Sequence, residues 1–167
     1  MSAGTEKPLV VLGWTIYAHP FFLEQLEVLI SQVDRLRAKD PAGYGRKNAT
    51  KRLAAIRKLV LEVIPEDPSR DEYQQGTTLG IDHRHWRRAK FFQRCRLFFR
   101  FRADSKVIVL AWVNDDDTKR AYGSKTDAYR VFQRMLKNGH PPDSWDLLIT
   151  EAANNMDRLN TVLETLD

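Results

Sequence analysis

Cys95 is the only cysteine in this chain of 167 residues. A single thiol excludes an intramolecular disulfide framework and suits a reducing compartment. Long hydrophobic runs are missing too. The apolar stretch at residues 9–12, Leu-Val-Val-Leu, is far shorter than the roughly 20 residues that span a bilayer. It also lacks the basic lead-in and small-residue cleavage site of a secretion signal. The expectation is a cytoplasmic protein with no membrane partner. Motifs for whole reaction classes are absent: there is no glycine-rich phosphate loop, no G-x-S-x-G nucleophile turn and no cysteine–histidine pairing. His83-x-His85 beside Asp82 lacks further ligands at usable spacing, and Asp115-Asp116-Asp117 reads as a turn and helix cap. Neither a metal nor any other cofactor is therefore expected.

What is present is ordinary in amount and uneven in placement. Hydrophobic residues make up 43% and charged residues 29% of the chain, the balance of a protein that buries a core. One domain is expected over residues 1–142, with 143–167 an acidic, helical tail of the same domain. The net charge of +5 is segregated: residues 83–102 hold eight Lys or Arg and no acid, whereas 143–167 hold six acids and one base, Arg158. Such separation points to a polyanion or an acidic partner.

Periodicity orders the elements. Residues 9–17 are β-branched and aromatic, and read as one strand. His19-Pro20 opens a helix with Phe22, Leu26, Leu29, Ile30, Val33 and Leu36 on one face. A second helix carries Ala49, Leu53, Ile56, Val60 and Val63, and ends at Pro65. Residues 65–82 form a loop. Strands follow at 86–92, 95–102 and 106–113, then a helix at about 126–138 that ends at Gly139-His140-Pro141-Pro142. The class is α+β: a small antiparallel sheet, made of the N-terminal strand and a three-stranded meander, with a helical hairpin and C-terminal helices.

The second strand of the meander sets Leu97, Phe99 and Phe101 on one face and Arg96, Phe98, Arg100 and Arg102 on the other. Arg88 and Lys90 share a face with Trp86 and Phe92 on the strand before it. Paired, these faces put four cations and two or three aromatics on one open surface. An anion such as the RNA backbone relieves their repulsion, and the aromatics suit unpaired bases. RNA carries its own nucleophile, the 2′-hydroxyl. A site of Arg, Lys and Tyr can therefore cleave it by aligning that oxygen, moving protons and stabilising the phosphorane.

Several stretches resemble the YhaV toxins: Gly13-Trp14-x-x-Tyr17-Ala18-His19-Pro20, Arg96-Leu-Phe-Phe-Arg100-Phe, Trp112-Val-Asn114-Asp115, Tyr122-Gly-x-Lys125-Thr-Asp-Ala-Tyr129-x-x-Phe132 and Lys137-x-Gly-His140-Pro-Pro. They keep their order from about Gly13 to Trp145. The resemblance implies a RelE-like fold and an endoribonuclease that cuts mRNA in association with the ribosome, inhibiting translation and growth. It also implies a cognate antitoxin of the PrlF type, which holds the toxin inactive in a hetero-oligomer. Carried over residue by residue, it implies Arg96 for phosphate stabilisation, Lys90 or Tyr122 for proton transfer, and Arg88 and Arg120 for orienting the RNA. Arg87, Arg94, Arg100, Asn114 and Lys125 are the further RNA-binding candidates. The chain departs from the family pattern in the hairpin turn, at Gln93 and Cys95. The competing expectation is a non-catalytic RNA- or ribosome-binding regulator that uses the same basic face.

Overall fold

The computed structural model describes residues 8–114 and 127–165. The first apolar stretch is not the single strand expected over 9–17. Leu12 and Gly13 both take positive φ, 51° and 87°, and Val11 pairs with Trp14 across them. A two-residue hairpin turn needs left-handed backbone at both positions, and the glycine supplies its share without steric cost. The stretch therefore folds back as β1 (Leu9–Val11) and β2 (Trp14–Ala18).

His19 then starts α1 (Pro20–Lys39): its Nδ1 accepts from the Phe21 N–H at 3.2 Å, with Pro20 in the first turn where a missing N–H costs nothing. Phe22, Leu23, Leu26, Leu29 and Val33 form its buried stripe. After the break at residues 40–43 comes α2 (Asn48–Lys58), which runs through a π-helical turn at Leu59–Val63 into a last turn, α3 (Ile64–Glu66). The loop to the next strand is not idle, because it buries Tyr73 and Leu79.

β3 (Arg87–Phe91), β4 (Cys95–Arg102) and β5 (Val107–Val113) form the expected antiparallel meander. On its other edge β5 pairs with β2 in parallel, which gives the order β1-β2-β5-β4-β3. The α+β class expected from the sequence stands, with one amendment: the sheet is mixed rather than antiparallel throughout. A parallel pairing requires a long crossover, and the helices after β2 provide it.

Helices cover both faces of the sheet. On one face, Leu97, Phe99, Ile108 and Leu110 meet α1, the α2 segment and the last helix, α6 (Met156–Glu164). On the other face, Phe98, Val109, Ala111 and Trp112 meet α4 (Ala128–Lys137) and α5 (Trp145–Ala153). β5 is buried on both sides, as its unbroken apolar run predicts. A bulge sharpens the asymmetry: Phe98 pairs with Trp112 but Phe99 with Leu110, so Ala111 is extra and joins Trp112 in the second core. The tail expected to be helical is two helices, and Arg158 of α6 forks onto Glu27 of α1, with Nε to Oε2 at 3.0 Å. None of the described helices is long and apolar enough to cross a membrane.

Candidate active site

The basic strands do not present an open face. Trp86 and Phe98 are fully buried, and Arg96 is only 7% exposed. The reason is the apolar area on that side. Phe132 of α4 stacks on Phe98 with ring centroids 4.4 Å apart, and its edge meets Trp86 at 5.0 Å. Burying such rings contributes about 1.5–3 kcal/mol each, so the amphipathic α4 closes over them. Of the aromatics expected to stack bases, Trp86 and Phe98 are core instead, and Phe92 alone of the three stays exposed.

The arginines at the border of this core are held in place. Arg88 and Lys90 face Phe98 and Arg96 across the β3–β4 ladder, so all four share one side. Arg88 Nε donates to the Tyr129 hydroxyl oxygen at 2.8 Å, and Arg96 Nε donates to the same oxygen at 3.1 Å. Arg88 Nη1 also reaches the Glu72 carbonyl at 2.6 Å. Arg96 Nη1 bonds the carbonyls of Gln93 and Cys95 at 2.8 and 3.0 Å. Lys90 is exposed. Among the described residues, none of Arg88, Lys90 and Arg96 has a carboxylate partner. Three cations without a counter-ion among the described residues make a local field that attracts an anion.

Asn114 is wholly buried and addresses the backbone rather than a ligand. Its Oδ1 accepts from the Arg96 N–H at 2.6 Å, and its Nδ2 donates to the Arg94 carbonyl at 2.9 Å. Its own carbonyl accepts from Arg52, whose other terminal nitrogen lies 3.3 Å from Cys95 Sγ. Asn114 therefore latches the hairpin that carries Arg94 and Arg96. The hairpin turn is unusual, since Phe92 and Gln93 take φ of 48° and 65° without glycine. Phe92 stays 54% exposed beside Arg94, over a cleft of about 1380 Å³ that Lys51, Arg52 and Arg94 also line.

The remaining candidates separate. Arg87 is on the other face, 5.5 Å above the Phe101 ring. Arg100 lies between the Trp86 and Trp145 rings, at 5.5 and 5.3 Å, and donates to the Asp143 carbonyl at 2.7 Å. Its burial lowers the guanidinium pKa from the ordinary value, with Arg102 adding to that. Arg120, Tyr122 and Lys125 lie outside the described residues, as does Asp115. Tyr129, on which both guanidiniums meet, is not among the residues that the sequence singles out as site candidates. It belongs to a stretch that resembles the toxins, yet nothing in the spacing shows that two arginines meet on its oxygen.

A second polar cluster sits where the chain enters β3 and α5. His83 Nδ1 and His85 Nε2 lie 2.9 and 2.8 Å from Asp143 Oδ1, and Trp86 Nε1 donates to that same oxygen at 2.8 Å. Burial alone would raise the Asp143 carboxyl. The hydrogen bonds from Trp86, His85 and His83 outweigh it and hold the pKa below the usual carboxylate value.

Against known proteins, the profile of a family described as a toxin with endonuclease activity, of a toxin–antitoxin system, matches residues 16–153. The chain belongs to that family, the YhaV toxins. It is 48% identical over 148 residues to the ribonuclease toxin YhaV of Escherichia coli strain K12, an alignment that covers 87% of this chain and 96% of the relative. The toxin YhaV of Escherichia coli O157:H7 is similar to the same degree. No solved structure matches significantly.

Proposed function

We propose that this chain is the toxin of a type II toxin–antitoxin pair. It is an endoribonuclease that cuts ribosome-associated mRNA, inhibits translation and growth, and is restrained by an acidic-surfaced antitoxin of the PrlF type. The observation that carries the reading is the convergence of Arg88, Lys90 and Arg96 on one side of the β3–β4 edge, with no carboxylate partner among the described residues.

The chemistry follows from those groups. A phosphodiester set against the three cations has its charge neutralised before reaction, and the extra charge of the phosphorane is neutralised more strongly still. Among the described residues, Arg96 Nη2 has no hydrogen-bond partner and is the group assigned to a non-bridging phosphate oxygen. Lys90, exposed across the ladder from Arg96, is assigned to proton transfer together with Tyr122. Arg88 and Arg120 orient the RNA. Tyr129 and Asn114 position: the phenol fixes both guanidiniums, and the amide fixes the backbone of Arg94 and Arg96. The attacking group is the substrate's own 2′-hydroxyl, in line with the departing 5′-oxygen. No step requires a metal ion, and three cations would repel one. Arg94 extends the RNA path toward the cleft beyond the hairpin turn. Arg100, spent on two indoles and a carbonyl, supports the fold beside that path.

The test is induction of the wild type beside Arg96→Ala, following growth and RNA integrity. The wild type is expected to arrest growth and fragment RNA, while the folded variant does neither. Arrest by both with RNA intact would replace the nuclease with a ribosome- or RNA-binding regulator.

A further inference from the structure

We propose that His83, His85 and Asp143 bind a divalent transition-metal ion, with zinc the metal their donor set favours. The sequence shows only an H-x-H pair. The fold brings the third ligand from 58 and 60 residues away, and one atom from each of the three side chains lies within 4.8 Å of the others.

The donors decide the metal class. Two imidazoles and one carboxylate are the ligands of zinc and its neighbours, whereas magnesium and calcium demand oxygen. Tetrahedral ligands at zinc lie about 3.3 Å apart, given bonds of roughly 2.0–2.1 Å. The observed separations of 2.8 and 2.9 Å from Asp143 Oδ1 therefore need only a small outward shift. Three protein ligands leave a fourth position for water, as in open zinc sites. The carboxylate is also steered from outside, since Trp86 Nε1 donates to Oδ1 at 2.8 Å and Arg100 holds the residue's own carbonyl at 2.7 Å. Such outer partners are what orient metal ligands.

A metal-free clasp is the alternative, and it is overcrowded. A carboxylate oxygen has about two acceptor directions, yet Oδ1 faces three nitrogens while Oδ2 faces none among the described residues. With an ion present, the two imidazoles turn their lone pairs to the metal, and Oδ1 ligates it while accepting a single hydrogen bond, from Trp86. Side-chain exposures of 21% for His83 and 36% for His85 and Asp143 give an ion a way in. Bound there, it ties the entry of β3 to the entry of α5. The site shares no residue with Arg88, Lys90, Arg96 or Tyr129, so it stands apart from the nuclease reading.

The test uses the untagged, full-length protein after chelator treatment, titrated with Co²⁺ and then with Zn²⁺ as competitor. One equivalent per chain is expected, with visible cobalt bands of a low-coordinate N/O site that zinc displaces, and a higher melting temperature in zinc. His83→Gln and His85→Gln keep a hydrogen-bond donor for Asp143 but remove a metal ligand. Each should weaken zinc binding by more than about 100-fold, beyond the cost of losing an outer-shell partner, and abolish the melting shift. Absence of stoichiometric uptake by the wild type overturns the proposal. So does uptake that survives both substitutions.

Discussion

Arg88 and Arg96, on neighbouring strands, donate their Nε–H groups to one atom, the hydroxyl oxygen of Tyr129, at 2.8 and 3.1 Å. Guanidiniums brought together this way repel each other, and the fold tolerates it because the phenol and three backbone carbonyls share their protons. The geometry of both cations therefore rests on a side chain that need not touch the substrate.

Tyr129→Phe isolates that role. The ring keeps its edge contact with Phe98, whose centroid is 5.6 Å away, while the acceptor shared by Arg88 and Arg96 is lost. Cleavage should fall by about 10²-fold, the cost of slight misplacement of catalytic groups. The loss should appear in kcat, with RNA affinity nearly unchanged. Single-turnover kinetics beside filter binding measures both. A variant that cuts normally would remove Tyr129 from the site.

Arg96→Lys keeps the charge but has neither the Nε nor the planar fork that reaches Tyr129, Gln93 and Cys95 together. We expect cleavage to drop by about 10²–10³-fold, as for loss of one well-aimed charge donor. The cleavage rate of the folded variant, with folding verified by circular dichroism, checks this. Full activity in the lysine variant would mean that charge alone suffices.

Phe132→Ala tests how the site is roofed. The ring stacks on Phe98 and Trp112 and meets the edge of Trp86. Truncation should cost about 3–5 kcal/mol, read as a shift in the urea midpoint. By contrast, Arg158→Ala breaks a pair with Glu27 whose side chains are 36% and 41% exposed. Screening by solvent limits that loss to about 1 kcal/mol at most.

His19 makes stability depend on pH. Burial lowers its pKa below the ordinary imidazole value, against the opposing hydrogen bond to Glu151. Its Nδ1 accepts from the Phe21 N–H, so in the neutral ring the proton sits on Nε2 and is donated to Glu151 at 2.9 Å. The unfolded state binds this proton more readily. The contribution is therefore full above the ordinary imidazole pKa and is lost as pH falls below it. His19→Asn retains a capping acceptor without the titration, and its stability should fall less than the wild type's between pH 7 and 5. Equal slopes would assign the pH dependence elsewhere.

Local signals carried much of this fold. His19-Pro20 marks the start of α1, the all-apolar run marks β5 as a strand buried on both sides, and the period-two alternation of β4 sorts its side chains correctly. Long-range relations were not legible. The hairpin at Leu12-Gly13 hides inside a continuous β-prone run, because a turn with one glycine looks like strand until its register is known. The parallel pairing of β2 with β5 depends on where the crossover helices end. The basic face reads as open in the sequence because alternation says which residues share a side, not whether α4 covers it. Asp143 could not be joined to His83 and His85 by spacing, since only the packing of the segment before α5 brings it there. At the candidate site, the cations are readable as charge density, whereas the node at Tyr129 needs three elements to be placed together.

The most direct measurement is the end-group chemistry of the products that the purified protein makes from one RNA, set beside DNA of the same sequence, with EDTA present throughout. Attack by the 2′-hydroxyl predicts cleavage of the RNA that survives EDTA. It leaves 2′,3′-cyclic or 3′-phosphate ends facing 5′-hydroxyl ends, with the DNA untouched. Cleavage of the DNA, 5′-phosphate products, or loss of activity in EDTA by protein that stays folded would contradict a site built from Arg88, Lys90 and Arg96 alone.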